Sequence, residues 1–182
     1  MERHLQAPIS KEELNRLIAW SKVKQIRLIV DESFVDFANG GLDMSLLDNN
    51  TLSANPHLIV VKSISKSYGV PGLRLGVIAS ADTDLIDWMK KDVAIWNINS
   101  FAEFYLQIYG KYESDYKKAC KQFMNERTRF YKELLSIDFL RVIPSQANYF
   151  LCEITERYSS RELTEKLLSD FNILIKDCGT KK

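Results

Sequence analysis

The chain has 182 residues, a formal net charge of +1, 46% hydrophobic residues and 27% charged ones. This describes a soluble globular domain, with or without a small appendage, and excludes a dominant electrostatic partner, so neither nucleic acid nor a membrane surface is expected. No apolar run approaches the roughly 20 residues of a membrane span. No secretory pattern opens the chain, and Cys120, Cys152 and Cys178 read as reduced thiols of a cytoplasmic protein. His4 and His57 stand near no second ligand at metal spacing, so no metal site is expected.

From the front, residues 1–7 read as a frayed start. Ser10 with Glu13 is a capping box, and Leu14, Leu17 and Ile18 follow at helical spacing, which predicts a helix ending near Lys24. Residues 26–30 are a β-branched run, a predicted buried strand. The run ends in Asp31, and a carboxylate at the carboxyl end of a parallel strand is where α/β proteins contact ligands. Asn39-Gly40-Gly41 marks a turn, and a short helix is predicted around residues 44–47. Residues 58–61 are a second buried strand. A third follows over residues 73–79, and the link between them is too short for a helical crossover, which predicts an antiparallel return. Residues 83–91 are a predicted helix, and Ser100 is placed to cap the next. Residues 101–136 are helical in pattern, with a break expected near Gly110. Residues 139–143 and 148–153 form a predicted strand pair, residues 160–170 a helix and residues 173–177 a last strand.

The densest chemistry lies between the second and third strands. Ser63, Ser65 and Lys66 share one turn, Gly69 and Gly72 free the backbone for positive φ, and Arg74 stands eight residues after the lysine. Hydroxyls, open backbone N–H groups and a guanidinium fork suit a phosphate. An amine beside a bound phosphate can condense with a carbonyl on the same ligand. Singly, each residue has a plainer reading: a solvated lysine, a carboxylate cap, a surface ion pair, turn serines. Jointly, at these spacings, they describe a cofactor anchor.

Ser63-Ile64-Ser65-Lys66, Gly69 and Gly72-Leu73-Arg74-Leu75-Gly76 resemble the lysine motif of the fold-type I pyridoxal-phosphate enzymes. Asp31-Glu32-Ser33-Phe34-Val35-Asp36-Phe37 resembles their aspartate motif, and Pro144-Ser145-Gln146-Ala147-Asn148-Tyr149-Phe150 a strand of their small domain. The resemblance is to the class I/II aminotransferases near histidinol-phosphate aminotransferase and threonine-phosphate decarboxylase. It implies an α/β fold: the second half of a three-layer α/β/α large domain over residues 1–112, then an interdomain helix and an incomplete small α/β domain over residues 113–182. It implies pyridoxal 5'-phosphate as cofactor. Lys66 would join the cofactor aldehyde as a Schiff base and then shuttle the substrate proton, Asp31 would pair with the pyridine nitrogen, and Ser63, Ser65 and Arg74 would hold the phosphate. Phe34 stands beside the cofactor where aminotransferases commonly carry a tyrosine, and it cannot donate to the ring oxygen. Asn148 is a candidate substrate contact. The implied assembly is a homodimer, and the implied substrate an amino acid or a phosphorylated amino compound.

Transamination is the expected reaction. Phe34 keeps decarboxylation of a phosphorylated amino acid as an alternative. Leu5-Gln6-Ala7-Pro8 stands where the family's asparagine-proline loop would lie, and residues 175–179 resemble the approach to its carboxylate-binding arginine. The chain is therefore expected to be a fragment, inactive alone, with an apolar sheet edge and face uncovered. The remaining alternative is a non-catalytic binding domain derived from such an enzyme.

Overall fold

The computed structural model describes residues 9–179. The expectations for residues 1–7 and for the loop at residues 5–8 lie outside them. The described chain forms two units, residues 9–125 with 146–148 and residues 126–145 with 149–179.

In the larger unit, α1 spans Lys11–Val23. Its predicted capping box is formed: Ser10 Oγ accepts from Glu13 N, and the Glu13 carboxylate accepts from Ser10 N. Gln25 then takes a φ of 56°, and Ile26 N donates back to Ser21 O. The chain is still closing α1 where the first strand was expected, so β1 begins later, at Leu28–Asp31. β2 spans Leu58–Ser63 and β3 spans Gly76–Ala79. The sheet order is β1-β2-β3. β1 and β2 are parallel, with Leu28 opposite Leu58 and Asp31 opposite Val61. β3 returns antiparallel, as predicted, with Ser63 opposite Gly76.

The period-two alternation of β2 decides the core. Leu58 and Val60 join Ile18 of α1 and Leu46 in one buried cluster, with Leu28, Val30 and Leu52 packed on it. The opposite sheet face stays open, with Ile29 65% and Ile78 45% exposed. A second cluster gathers Ile64, Leu75 and Ala102, with Tyr68 and Tyr105 against it.

The link from β1 to β2 departs from expectation. Glu32 is buried and accepts from Ser45 Oγ at 2.6 Å and Leu46 N at 2.5 Å. This carboxylate captures the segment that was expected to be a helix and seats Leu46 in the core. A 3-10 turn at Gly41–Met44 precedes it, and α2, Asn49–Ala54, follows under an Asp48 cap. After β2 come α3 at Ile64–Ser67, a 3-10 turn at Pro71–Leu73 and, past β3, α4 at Thr83–Lys90.

The next helix, α5, is Ser100–Leu135. Asn99, not Ser100, caps it, its Oδ1 accepting from Ala102 N at 2.9 Å. The break expected at Gly110 is absent. A glycine inside a helix costs only about 1 kcal/mol. Tyr109 and Tyr116, on either side of it, both pack on Tyr68, with ring centroids 5.1 and 4.3 Å away. Among the described residues, no helix is long and apolar enough to cross a membrane.

The smaller unit carries β4, Leu140–Ile143, antiparallel to β5, Leu151–Ile154, and then α6, Ser160–Phe171. Phe150 packs on Phe130 and Tyr131, and Phe139 on Tyr158. The last predicted strand is not one. A strand exists only through its ladder partner, and residues 173–177 have none among the described residues.

Lys62 is the odd member of the buried row on β2. Its Nζ lies 2.6 Å from Asp36 Oδ1, with the two side chains 5% and 0% exposed. Asp36 sits in the 3-10 turn Val35–Phe37, and Tyr116 OH of α5 donates to its Oδ2 at 2.8 Å. Removing one partner of such a pair strands a buried charge. We expect Asp36→Ala to cost about 3–5 kcal/mol, seen as a lower urea midpoint at unchanged slope. Replacing Lys62 by Met, Asp36 by Leu and Tyr116 by Phe together should recover most of that loss. An unchanged midpoint for Asp36→Ala would refute the role given to the pair.

Candidate functional site

Because β1 and β2 are parallel, their carboxyl ends emerge at one edge of the sheet, the place where open α/β sheets bind ligands. Asp31 closes β1 and Ser63 closes β2. Ser33 joins the two ends. Its hydroxyl donates to Asp31 Oδ1 at 2.5 Å and accepts from Ser63 N at 3.0 Å. Ser33 N donates to the same Oδ1 at 2.8 Å. These donors hold the Asp31 carboxyl below its ordinary range, the hydroxyl first, the N–H second, with the Lys66 ammonium adding a smaller pull. Among the described residues, Asp31 Oδ2 has no donor, and the residue is exposed.

Ser63 leads directly into the single turn of α3, which carries Lys66 on its exposed side. Lys66 Nζ stands 4.1 Å from the centroid of the Phe34 ring. The negative ring face attracts an ammonium, an interaction worth about 0.5–1 kcal/mol at an exposed site. Phe34 follows Asp31 by three positions, so this contact brings the amine to the end of β1.

The turn after α3 uses positive φ at Gly69, 67°, and at Arg74, 54°; Gly72 does not need it. The left-handed conformation expected of both glycines thus falls on one glycine and on the arginine. Arg74 is exposed and has no ion-pair partner among the described residues. Ser65 is buried, its Oγ 3.5 Å from Leu75 O. Asn148 is exposed and makes no hydrogen bond among the described residues, while its neighbour Gln146 accepts through Oε1 from Asn39 N.

Asp31, Phe34, Ser63 and Lys66 are therefore gathered at one strand edge. Arg74 ends the same connection, Ser65 is buried within it, and among the described residues no hydrogen bond joins Asn148 to them. Two features escaped the sequence reading. One is Ser33 as the bridge between strand ends; nothing in its spacing distinguishes it from a turn serine. The other is the Lys62–Asp36–Tyr116 network, and it had a signal: a lysine in phase with Leu58 and Val60 on a buried strand.

The site carries residue types suited to a ligand that bears an aldehyde, a basic ring nitrogen and a phosphate. Lys66 offers an exposed amine and, among the described residues, Asp31 Oδ2 has no donor and Arg74 no ion-pair partner. The family model for aminotransferase class I and II matches residues 7–180. The chain is 35% identical over 156 residues to CMP-5'-(3-aminopropyl)phosphonate synthase of Streptomyces rubellomurinus, covering 86% of this chain and 24% of that protein. It is 33% identical over 158 residues to L-serine phosphate decarboxylase of Sulfurospirillum multivorans, covering 85% of this chain and 40% of that one. The fold superposes on histidinol-phosphate aminotransferase of Clostridium acetobutylicum with a TM-score of 0.81 and 28% identity, covering 94% of this chain and 50% of that structure. The chain thus spans half or less of the length of each. Enzymes of this class depend on pyridoxal 5'-phosphate.

The folded-state pKa of Asp31 lies below the unfolded one. Its stabilising contribution is therefore complete above the ordinary value of 3.8 and is lost as pH falls through the lowered folded value. We expect Asp31→Asn to lose less stability than the wild type on acidification through that window, measured as urea midpoints from neutral pH downward. An Asp31 carboxyl seen by NMR to titrate at or above 3.8 would contradict this.

Proposed function

The chain belongs to the class I and II aminotransferase family, and on that premise we propose that its protein is a pyridoxal-phosphate enzyme that decarboxylates a phosphorylated amino acid. The observation that carries this reading is the Phe34 ring 4.1 Å from Lys66 Nζ. Decarboxylation and transamination part at the fate of one proton. A decarboxylase returns a proton to the carbon that lost carbon dioxide. A transaminase first removes one from that carbon. The ring face attracts an ammonium, and an ammonium is the form of the amine that can give that carbon a proton. The likeness to L-serine phosphate decarboxylase supports the same choice. Transamination, the reaction expected from the sequence, is the second reading, supported by the likeness to histidinol-phosphate aminotransferase.

When bound, pyridoxal phosphate supplies an electron-accepting ring that stabilises negative charge at the substrate carbon. Lys66 Nζ would be the amine for its aldehyde and the proton carrier. Asp31 would accept from the ring nitrogen and keep it protonated. Ser63, Ser65 and Arg74 would hold the phosphate. Phe34 would stand beside the cofactor next to Lys66, and Asn148 would contact the substrate.

The proposal assigns residues 1–112 to the cofactor-binding domain and residues 113–182 to the interdomain helix and small domain. It includes a homodimer, supported by the apolar run in which Trp88, Ile95, Trp96, Phe101 and Phe104 are all exposed. Three unpaired cysteines fit a reducing, cytoplasmic setting.

Incubating the intact protein with pyridoxal phosphate, reducing with borohydride and mapping peptides should label Lys66, and Lys66→Arg should abolish the label. Arg74→Ala should weaken cofactor binding by about tenfold or more, the loss expected for a charged hydrogen bond. With phosphoserine, release of carbon dioxide supports decarboxylation, and accumulation of a keto acid selects transamination. A label on another lysine would overturn the site.

A further inference from the structure

We propose that Ser33 is a positioning residue for the cofactor: its hydroxyl ties Asp31 Oδ1 to the backbone at Ser63, so that Asp31 meets the ring nitrogen through Oδ2 alone. The inference rests on the function proposed above.

The hydrogen-bond directions at Ser33 are fully determined. A serine hydroxyl has one proton and two acceptor sites. Ser63 N–H can only donate, and it occupies one acceptor site at 3.0 Å. An ionised carboxylate can only accept, so the single proton goes to Asp31 Oδ1, 2.5 Å away. Ser33 N–H, at 2.8 Å, fills a second position on the same oxygen. Oδ1 is thereby committed and Oδ2 is left. Ser33 is only 4% exposed, so water does not substitute freely for this hydroxyl.

The bridge has two consequences. It fixes the carboxylate plane, which a side chain at the open end of a strand otherwise does not hold. It also couples two groups proposed for opposite ends of the cofactor, Asp31 at the ring and Ser63 at the phosphate, through one atom. The other charged group that bears on Asp31 is Lys66 of α3, and its ammonium also favours the carboxylate. Removing the hydroxyl takes away the larger influence and leaves the smaller.

The test compares wild type, Ser33→Ala, Asp31→Asn and the double variant in the intact protein. Cofactor affinity is read from its absorbance against pH, with a thermal melt of the unloaded protein as a check on folding. Ser33→Ala should weaken cofactor binding by about tenfold. It should also move the acid limit of binding to higher pH, since Asp31 then protonates earlier. In the Asp31→Asn background the same change should have a much smaller effect, because the part of the serine's action that runs through the carboxylate is already lost. Ser33→Thr, which keeps the hydroxyl, should restore the wild-type acid limit. An equal loss in both backgrounds, or an unmoved acid limit in Ser33→Ala, overturns the assignment while leaving the proposed function intact. A wild type that takes up no cofactor overturns both.

Discussion

The ion pair between Lys62 and Asp36 is the constraint around which the larger unit is arranged. Two opposite charges out of water are tolerable only when each is fully partnered. Asp36 meets that condition through Lys62 Nζ on one oxygen and Tyr116 OH on the other. Three elements are held by this one carboxylate: β2, the 3-10 turn after β1, and α5. Tyr116 stacks on Tyr68, the residue that follows α3. The turn bearing Lys66 is thus bracketed, with a buried charge at its start and a stacked ring at its end.

Electrostatics at the strand edge follow the same logic with the opposite exposure. Asp31 and Lys66 are open to solvent, so they remain available to a ligand, and their orientation comes from uncharged neighbours. Ser33 holds the carboxylate and the Phe34 ring holds the amine. Glu32, between Asp31 and Ser33 in sequence, faces inward and secures Ser45 and Leu46 instead. Asp31 is thus open to solvent, while Glu32 and Ser33 directly after it are buried and serve the scaffold.

Where the described elements depart from their sequence patterns, a specific tertiary contact outweighed a local preference. Glu32 draws residues 45–47 away from a helix. The tyrosines packed about Tyr68 carry α5 through Gly110, whose intrinsic cost of about 1 kcal/mol is small beside ring packing on both sides. Residues 173–177 have strand composition and no ladder partner among the described residues, and composition alone does not make a strand.

By itself the sequence determined the cores of β1 to β5, the capping box at Ser10, the antiparallel return of β3 and the motifs by which the chain resembles its family. These depend on period, short connections and motif spacing, which are local properties of the chain. Only the tertiary structure decided what partners those residues take. Lys62 and Asp36 are 26 positions apart, and Asp36 and Tyr116 are 80 apart. Neither pairing has a local signature, although a lysine in the buried phase of β2 announced that some carboxylate must meet it. Ser33 became legible only when β1 and β2 lay side by side, because its second partner, the N–H of Ser63, is 30 residues away. Asp31 and Lys66 stand out in the sequence by residue type and spacing, and the fold supplied the neutral neighbours, Ser33 and Phe34, that contact them.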